Sequence, residues 1–213
     1  MTGKPIAIVL AAGRGRRFVA AGGAPFKQSQ SLYGAQSIVE YACDLYSQSG
    51  LSVVCALHPE LDDLAHCLSD AGHRVVTVAD ADAGMGHSLS AAVAAAPSEH
   101  GWLIALADMP SVRPDTIRAV AEAVAAGSAL CAPFCKGRRG HPVGFGAEFG
   151  AALRGLSGDE GARSILRTNE DRLTRIEVDD PGVLLDINVP GDLLDLAAAV
   201  GKPRQPTKRR HHD

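Results

Sequence analysis

The sequence predicts an α/β protein of three layers, with helices on both faces of a mostly parallel sheet and a small hairpin excursion over the strand C-terminal rim. Three observations predict it. Short apolar runs with the look of buried strands alternate with segments of helical period along most of the chain. The first run, Ile6 to Leu10, breaks into Ala11-Ala12-Gly13-Arg14-Gly15-Arg16-Arg17, a small-residue bend crowded with arginines. Two later runs end in carboxylates, Asp108 and Asp186. In parallel sheets ligands bind beyond the strand C-termini, so these residues should share one rim.

The elements follow in order. Gln36 to Gln48 has helical period and is closed by Gly50. Leu51 to Leu57 is a strand ended by His58-Pro59. Glu60 to Ala71 carries Leu61, Leu64, Ala65 and Leu68 on one helical face, and Gly72 stops it. Arg74 to Val78 is a strand, and a loop from Asp80 to Gly86 leads into the Ala-rich helix Ser88 to Ala96. Trp102 to Leu106 is the next buried strand. Pro114 suits the first helical position of a segment that runs to Gly127, and Ser128 to Pro133 returns as a strand. The Gly-rich, basic stretch Phe134 to Gly146 reads as the hairpin excursion. Short helices are expected near Ala147 to Leu153 and Ala162 to Arg167. Strand-like runs follow at Leu173 to Val178 and Val183 to Asp186, and a last helix at Pro190 to Val200.

A chain of 213 residues with 46% hydrophobic and 21% charged content suits one globular domain, taken as 1–201, with a basic, Pro-containing tail at 202–213 predicted to be disordered. The net charge of −3 argues against general nucleic-acid affinity. No apolar run is long enough for a bilayer, and no signal-peptide pattern precedes the first strand. Cys43, Cys55, Cys67, Cys131 and Cys135 contain no Cys-x-x-Cys pair, which fits reduced thiols in a cytoplasmic protein.

The early bend is suited to phosphate. Glycines let backbone N–H groups converge on an anion, and guanidiniums add charge and forked donors. It is neither of two familiar loops. The Gly-Lys-Ser/Thr of a P-loop is absent. Phe18 stands where a dinucleotide fingerprint needs its third glycine, and the acidic ribose ligand is missing unless Glu40 supplies it. Arg14, Arg16, Arg17 and Lys27 could neutralise a triphosphate, or be solvated. Asp108 and Asp186 form a hard-oxygen pair suited to Mg²⁺, or each caps the element that follows. Gly84-Met85-Gly86-His87-Ser88 opens a helix whose free N–H groups and Ser88 hydroxyl could hold an anion or a base edge, or serve as a plain cap. Gly140-His141-Pro142 lies in the cationic excursion, and Asp159 to Arg163 forms a turn entering a helix.

Taken in order from Ile6 to about Leu196, these segments resemble the MobA-like nucleotidyltransferases, and among them the molybdenum cofactor cytidylyltransferases. The matching pieces are Leu10 to Arg17 with Lys27, Gly84 to Leu89, Ala107 to Pro110, Gly140 to Val143, Gly158 to Arg163 and, in altered form, Asp186 to Asp192. The resemblance implies a Rossmann-like sheet that binds CTP with Mg²⁺ (or Mn²⁺) and transfers CMP to the terminal phosphate of molybdopterin. Pyrophosphate and molybdopterin cytosine dinucleotide would result, the latter for a molybdenum hydroxylase of the xanthine-oxidase type. By position, Arg17, Lys27 and Asp108 would be catalytic, and Asp108 and Asp186 would hold the metal. Leu10, Ala11, Ala12, Gly13, Arg14, Gly15, Lys27, Gly86 and Ser88 would contact the nucleotide. Gly140, His141, Pro142, Asp159 and Arg163 would face the pterin. Ala12 stands where guanylyl-transferring relatives tend to have glycine, which implies cytosine.

Three residues or segments depart from the family pattern: Arg16, the Gln28-Ser29-Gln30-Ser31 run after Lys27, and Asn188 in place of an aspartate. They leave open transfer from GTP, transfer to a sugar or small-acid phosphate, and a non-catalytic carrier that delivers a finished cofactor to an apo-dehydrogenase.

Overall fold

Ile6 to Ala11 form β1 (Ile6–Ala11), which lies inside the sheet with Ala7, Ile8 and Val9 fully buried. Ala7, Val9 and Ala11 face one helical layer and Ile8 the other. That two-residue alternation with both faces covered is why the strand reads as a continuous apolar run. The computed structural model describes residues 3–33 and 36–200, and the tail expected at 202–213 lies outside the described residues.

After β1 come α1 (Arg16–Ala20), a hairpin of β2 (Ser31–Tyr33) and β3 (Gln36–Ser37), and α2 (Ile38–Gln48). On one flank β4 (Val53–Leu57) pairs with β1, α3 (Asp62–Asp70) follows, and β5 (Arg74–Thr77) closes the edge. The chain then passes through α4 (Met85–Ala95) to β6 (Trp102–Leu106), which pairs in parallel with the other side of β1. This reversal of direction opens the crevice in which doubly wound sheets bind ligands. Beyond it lie α5 (Pro114–Ala125), β7 (Leu130–Cys135), β8 (Arg138–Arg139), β9 (Val143–Phe145), α6 (Gly150–Arg154), α7 (Arg163–Thr168), β10 (Leu173–Glu177) and α8 (Pro190–Val200). The sheet order is β10-β7-β9-β6-β1-β4-β5, with β8 beside β7. One face is covered by α2, α3 and α5, the other by α4, α6 and α7. Among the described residues no helix is long and apolar enough to cross a membrane.

Three local differences from the sequence expectation matter for the site. The hairpin at 134–146 forms, but its return limb enters the sheet: β9 runs antiparallel between β6 and β7. Gly144 permits this, since a Cβ there would lie 2.4 Å from Cys131 Sγ. The run Val183 to Asp186 is not a strand. Pro181 starts a 3₁₀ turn over Pro181–Leu184, and Asp180 accepts a hydrogen bond from the Gly182 N–H. The helix expected from Gln36 starts at Ile38, because Ser37 caps it and Glu40 completes a capping box. That role removes Glu40 as a ribose ligand.

Candidate active site

The bend after β1 is shaped by Gly15, which has φ 67° and opens α1. A Cβ on Gly15 would lie 3.0 Å from Lys27 Cβ, so both conformation and close approach require glycine. The backbone N–H groups of Ala12, Gly13 and Arg14 have no hydrogen-bond partner among the described residues. Arg16 and Arg17 are exposed on the first turn of α1. Arg14 is already engaged. It grips Asp82 at 2.6 and 2.7 Å and Glu60 at 2.7 Å, with its guanidinium 5.5 Å from the centre of the Phe26 ring. Hydrogen bonding from Arg14 holds the Asp82 carboxyl down at about 2. Arg14 therefore braces the wall of the site, whereas Arg16 and Arg17 are the guanidiniums that the bend leaves for a ligand.

Lys27 and Gln28 share a buried 3₁₀ turn introduced by Phe26 at φ 55°. Lys27 Nζ donates to Asp108 Oδ2 at 2.7 Å and to the Ile187 carbonyl. Gln28 Nε2 donates to the Ala11 carbonyl at 2.5 Å and to the Gly13 carbonyl. One turn thus ties the phosphate bend to Asp108 and to the backbone beside Asp186. The sequence leaves the pose of Lys27 uncertain after its departure at Gln28 to Ser31, and Gln28 is a residue that motif reasoning did not select. Its signal was a polar side chain directly after the lysine, in the run that departs from the family pattern.

Asp108 follows β6, and the Ala107 N–H donates to the Leu10 carbonyl at 3.1 Å, so the ends of β6 and β1 are adjacent. Asp186 arrives on a strap, residues 179–188, fastened at three points. Asp180 accepts from the Arg113 N–H at 2.9 Å and from Thr116 Oγ1 at 2.7 Å, which pins the strap to the start of α5. The His141 N–H donates to the Val183 carbonyl at 3.0 Å, and the Ile187 N–H to the Asp108 carbonyl at 2.9 Å. Asn188 lies at the end of the strap, and its Oδ1 is buried without a hydrogen-bond partner. Asp192 accepts from the Asn188 and Val189 N–H groups, which lowers its pKa.

These pieces enclose a single cleft of about 520 Å³, within the roughly 300–1,000 Å³ usual for small-molecule sites. Of the residues singled out in the sequence, Leu10, Ala11, Ala12, Gly13, Arg14, Gly15, Arg17, Lys27, Ser88, Asp108, Asp159, Arg163 and Asp186 line it. Gln28, Asp82, Met85 and Asn188 also line it, and no motif had pointed to Asp82.

Gly86, Gly140, His141 and Pro142 do not line this cleft. Gly86 has a packing role: its N–H donates to the Gly158 carbonyl at 2.7 Å, and a Cβ would lie 2.5 Å from the Ser157 oxygen. His87 Nδ1 accepts from the Gly158 N–H at 3.2 Å, so this imidazole latches the 157–163 turn onto α4. Gly140 lies against the strap, where a Cβ would meet the Val183 oxygen at 2.4 Å. The His141 Nδ1 is buried without a partner, and burial lowers the pKa of the ring against the opposing influence of the Ile104 backbone and Asp108. All five cysteines are free thiols, with only Cys67 exposed.

Bend, basic turn and two carboxylates on one cleft at a strand-order reversal are the arrangement of a nucleotidyltransferase of Rossmann-like fold. Residues 7–174 match the MobA-like NTP transferase domain, and the chain belongs to that family. Purine catabolism protein PucB of Bacillus subtilis (strain 168) is 36% identical over 114 residues, covering 52% of this chain and 55% of PucB, so the match spans about half of either protein. Rv0371c of Mycobacterium tuberculosis H37Rv is 26% identical, with a TM-score of 0.79 over 93% of this chain and 99% of its own. Its structure in complex with manganese gives 23% identity and a TM-score of 0.74, covering 92% of this chain and 100% of that one.

Proposed function

We propose that the protein transfers CMP from CTP to the terminal phosphate of molybdopterin, releasing pyrophosphate and molybdopterin cytosine dinucleotide. The observation that carries nucleotidyl transfer is Lys27, whose ammonium joins Asp108 to the strap bearing Asp186 beneath the phosphate bend. The free N–H groups of the bend and the exposed Arg16 and Arg17 bind the triphosphate and stabilise charge on departing pyrophosphate. The acceptor phosphate is already ionised at neutral pH, so the chain needs to supply no nucleophile. Positioning and charge neutralisation supply the rate.

The residues present fit a divalent cation, Mg²⁺ or Mn²⁺. Asp108 and Asp186 share one cleft with Asn188, whose buried Oδ1 has no partner, a hard-oxygen donor set. Among the described residues no cluster of three or more His, Cys, Asp or Glu side chains is placed to hold a metal, and the phosphates of a bound nucleotide would add the further oxygen ligands such a cation takes. Once bound, the cation would offset negative charge on the phosphates. The manganese complex of Rv0371c supports this reading.

Three points support cytosine and molybdopterin. Ala12 lines the cleft, and a methyl in place of a glycine hydrogen there would leave less room for a purine than for cytosine. Asp159 and Arg163 offer a carboxylate and a guanidinium to a heterocyclic acceptor. PucB acts in purine catabolism, which suits a cofactor made for a xanthine-oxidase-type hydroxylase, the receiving partner proposed here. A cytoplasmic location is proposed on the free thiols.

The test is incubation with Mg²⁺, molybdopterin and each nucleoside triphosphate in turn, following pyrophosphate release. CTP should be preferred. Preference for GTP would overturn the cytosine assignment, and dinucleotide binding without turnover would favour the carrier.

A further inference from the structure

We infer that Gln28 is a positioning residue that orients the phosphate bend for donation, a reading that rests on the nucleotide site proposed above. Its amide carries two hydrogens, and both are used on carbonyls of the same bend, Ala11 and Gly13. A peptide unit is planar, and its C=O and N–H point in opposite directions. Fixing the Ala11 carbonyl towards Gln28 therefore turns the Ala12 N–H away from it. Fixing the Gly13 carbonyl does the same for the Arg14 N–H. Neither of these N–H groups has a partner among the described residues, and both residues line the cleft.

Gln28 is 4% exposed, so the clamp operates out of competition with water. The neighbouring Lys27 sends its side chain the other way, to Asp108 and Ile187. The glutamine orients the anion-binding side of the cleft, and the lysine ties the turn to its carboxylate side. A leucine at position 28 offers no donor. A glutamate sets a carboxylate against two carbonyl oxygens, so the exchange of one atom inverts the interaction.

The experiment measures binding of inorganic tripolyphosphate and CTP to the full chain by calorimetry, with steady-state kinetics alongside, for the parent, Gln28→Met and Gln28→Glu. In the variants tripolyphosphate and CTP affinity should fall ten-fold or more, with KM for CTP raised and acceptor KM unchanged. Backbone amide resonances of Ala12 and Arg14 in the parent should shift on titration with tripolyphosphate. A parent that binds no nucleoside triphosphate would defeat the site itself. A parent that binds CTP while its Ala12 and Arg14 resonances stay fixed would defeat the role of Gln28 alone. Folded variants that bind tripolyphosphate as the parent does would defeat it equally.

Discussion

The two sides of the cleft are built by opposite means. The phosphate bend is held by residues close in sequence: Gly15 against Lys27, and Gln28 against Ala11 and Gly13. The strap that carries Asp186 is held from far away, by Arg113 and Thr116 at α5, by His141 and by Asp108. A local turn is fixed once its short segment closes, whereas the strap exists only after β6, α5 and the hairpin have packed. The comparison teaches that the anion side is rigid by local geometry and the carboxylate side by tertiary structure. Lys27 joins them.

The largest expected effect comes from breaking that join. Lys27→Met removes the donor to Asp108 Oδ2 and Ile187, and turnover should fall by about 100-fold or more with circular dichroism unchanged. Turnover within a few-fold of the parent would show that the two sides align without it. Next, Asp180→Ala leaves the Arg113 and Gly182 N–H groups and the Thr116 hydroxyl without their acceptor. Denaturation should show a loss of about 3 kcal/mol, and cation affinity should weaken more than tripolyphosphate affinity. Equal weakening of both would mean the two sides are not separable.

Gly86→Ala drives a Cβ to 2.5 Å from the Ser157 oxygen. The cost should be roughly 1–3 kcal/mol, read as a lowered melting temperature, with Asp159 and Arg163 displaced and the acceptor KM raised. The smallest effect concerns the brace beside the bend. Asp82 titrates at about 2 instead of 3.8, so its pairing with Arg14 stabilises the fold above about pH 4 and is lost as pH falls towards 2. Asp82→Asn should flatten stability over that window alone, as followed by urea midpoints at stepped pH.

This contrast also explains what could be read before folding. The bend, the Asp108 turn and the alternation of strands and helices rest on local spacing, and the structure places them on one rim, whereas the pose of Lys27 is set by contacts across the fold. The helical period from Gln36 masked the capping box of Ser37 and Glu40, which starts the helix at Ile38. The strap was misread as a strand because Val183 to Leu185 is apolar, while the determinant, Asp180 capping the Pro181 turn and α5, is a contact across the fold. The entry of β9 between β6 and β7 depends on Gly144 clearing Cys131, a relation that hydrophobic period does not report. Gln28 was overlooked because its partners are carbonyls, which leave no mark in the residue pattern.

The central claim is that both sides of the cleft close on one cation and one triphosphate. Its most direct test is Mn²⁺ binding followed by electron paramagnetic resonance, with and without CTP, for the parent, Asp108→Asn and Asp186→Asn. The account predicts one Mn²⁺ per chain, tightened by CTP, and weakened ten-fold or more by either substitution. Unchanged affinity in either variant would contradict it.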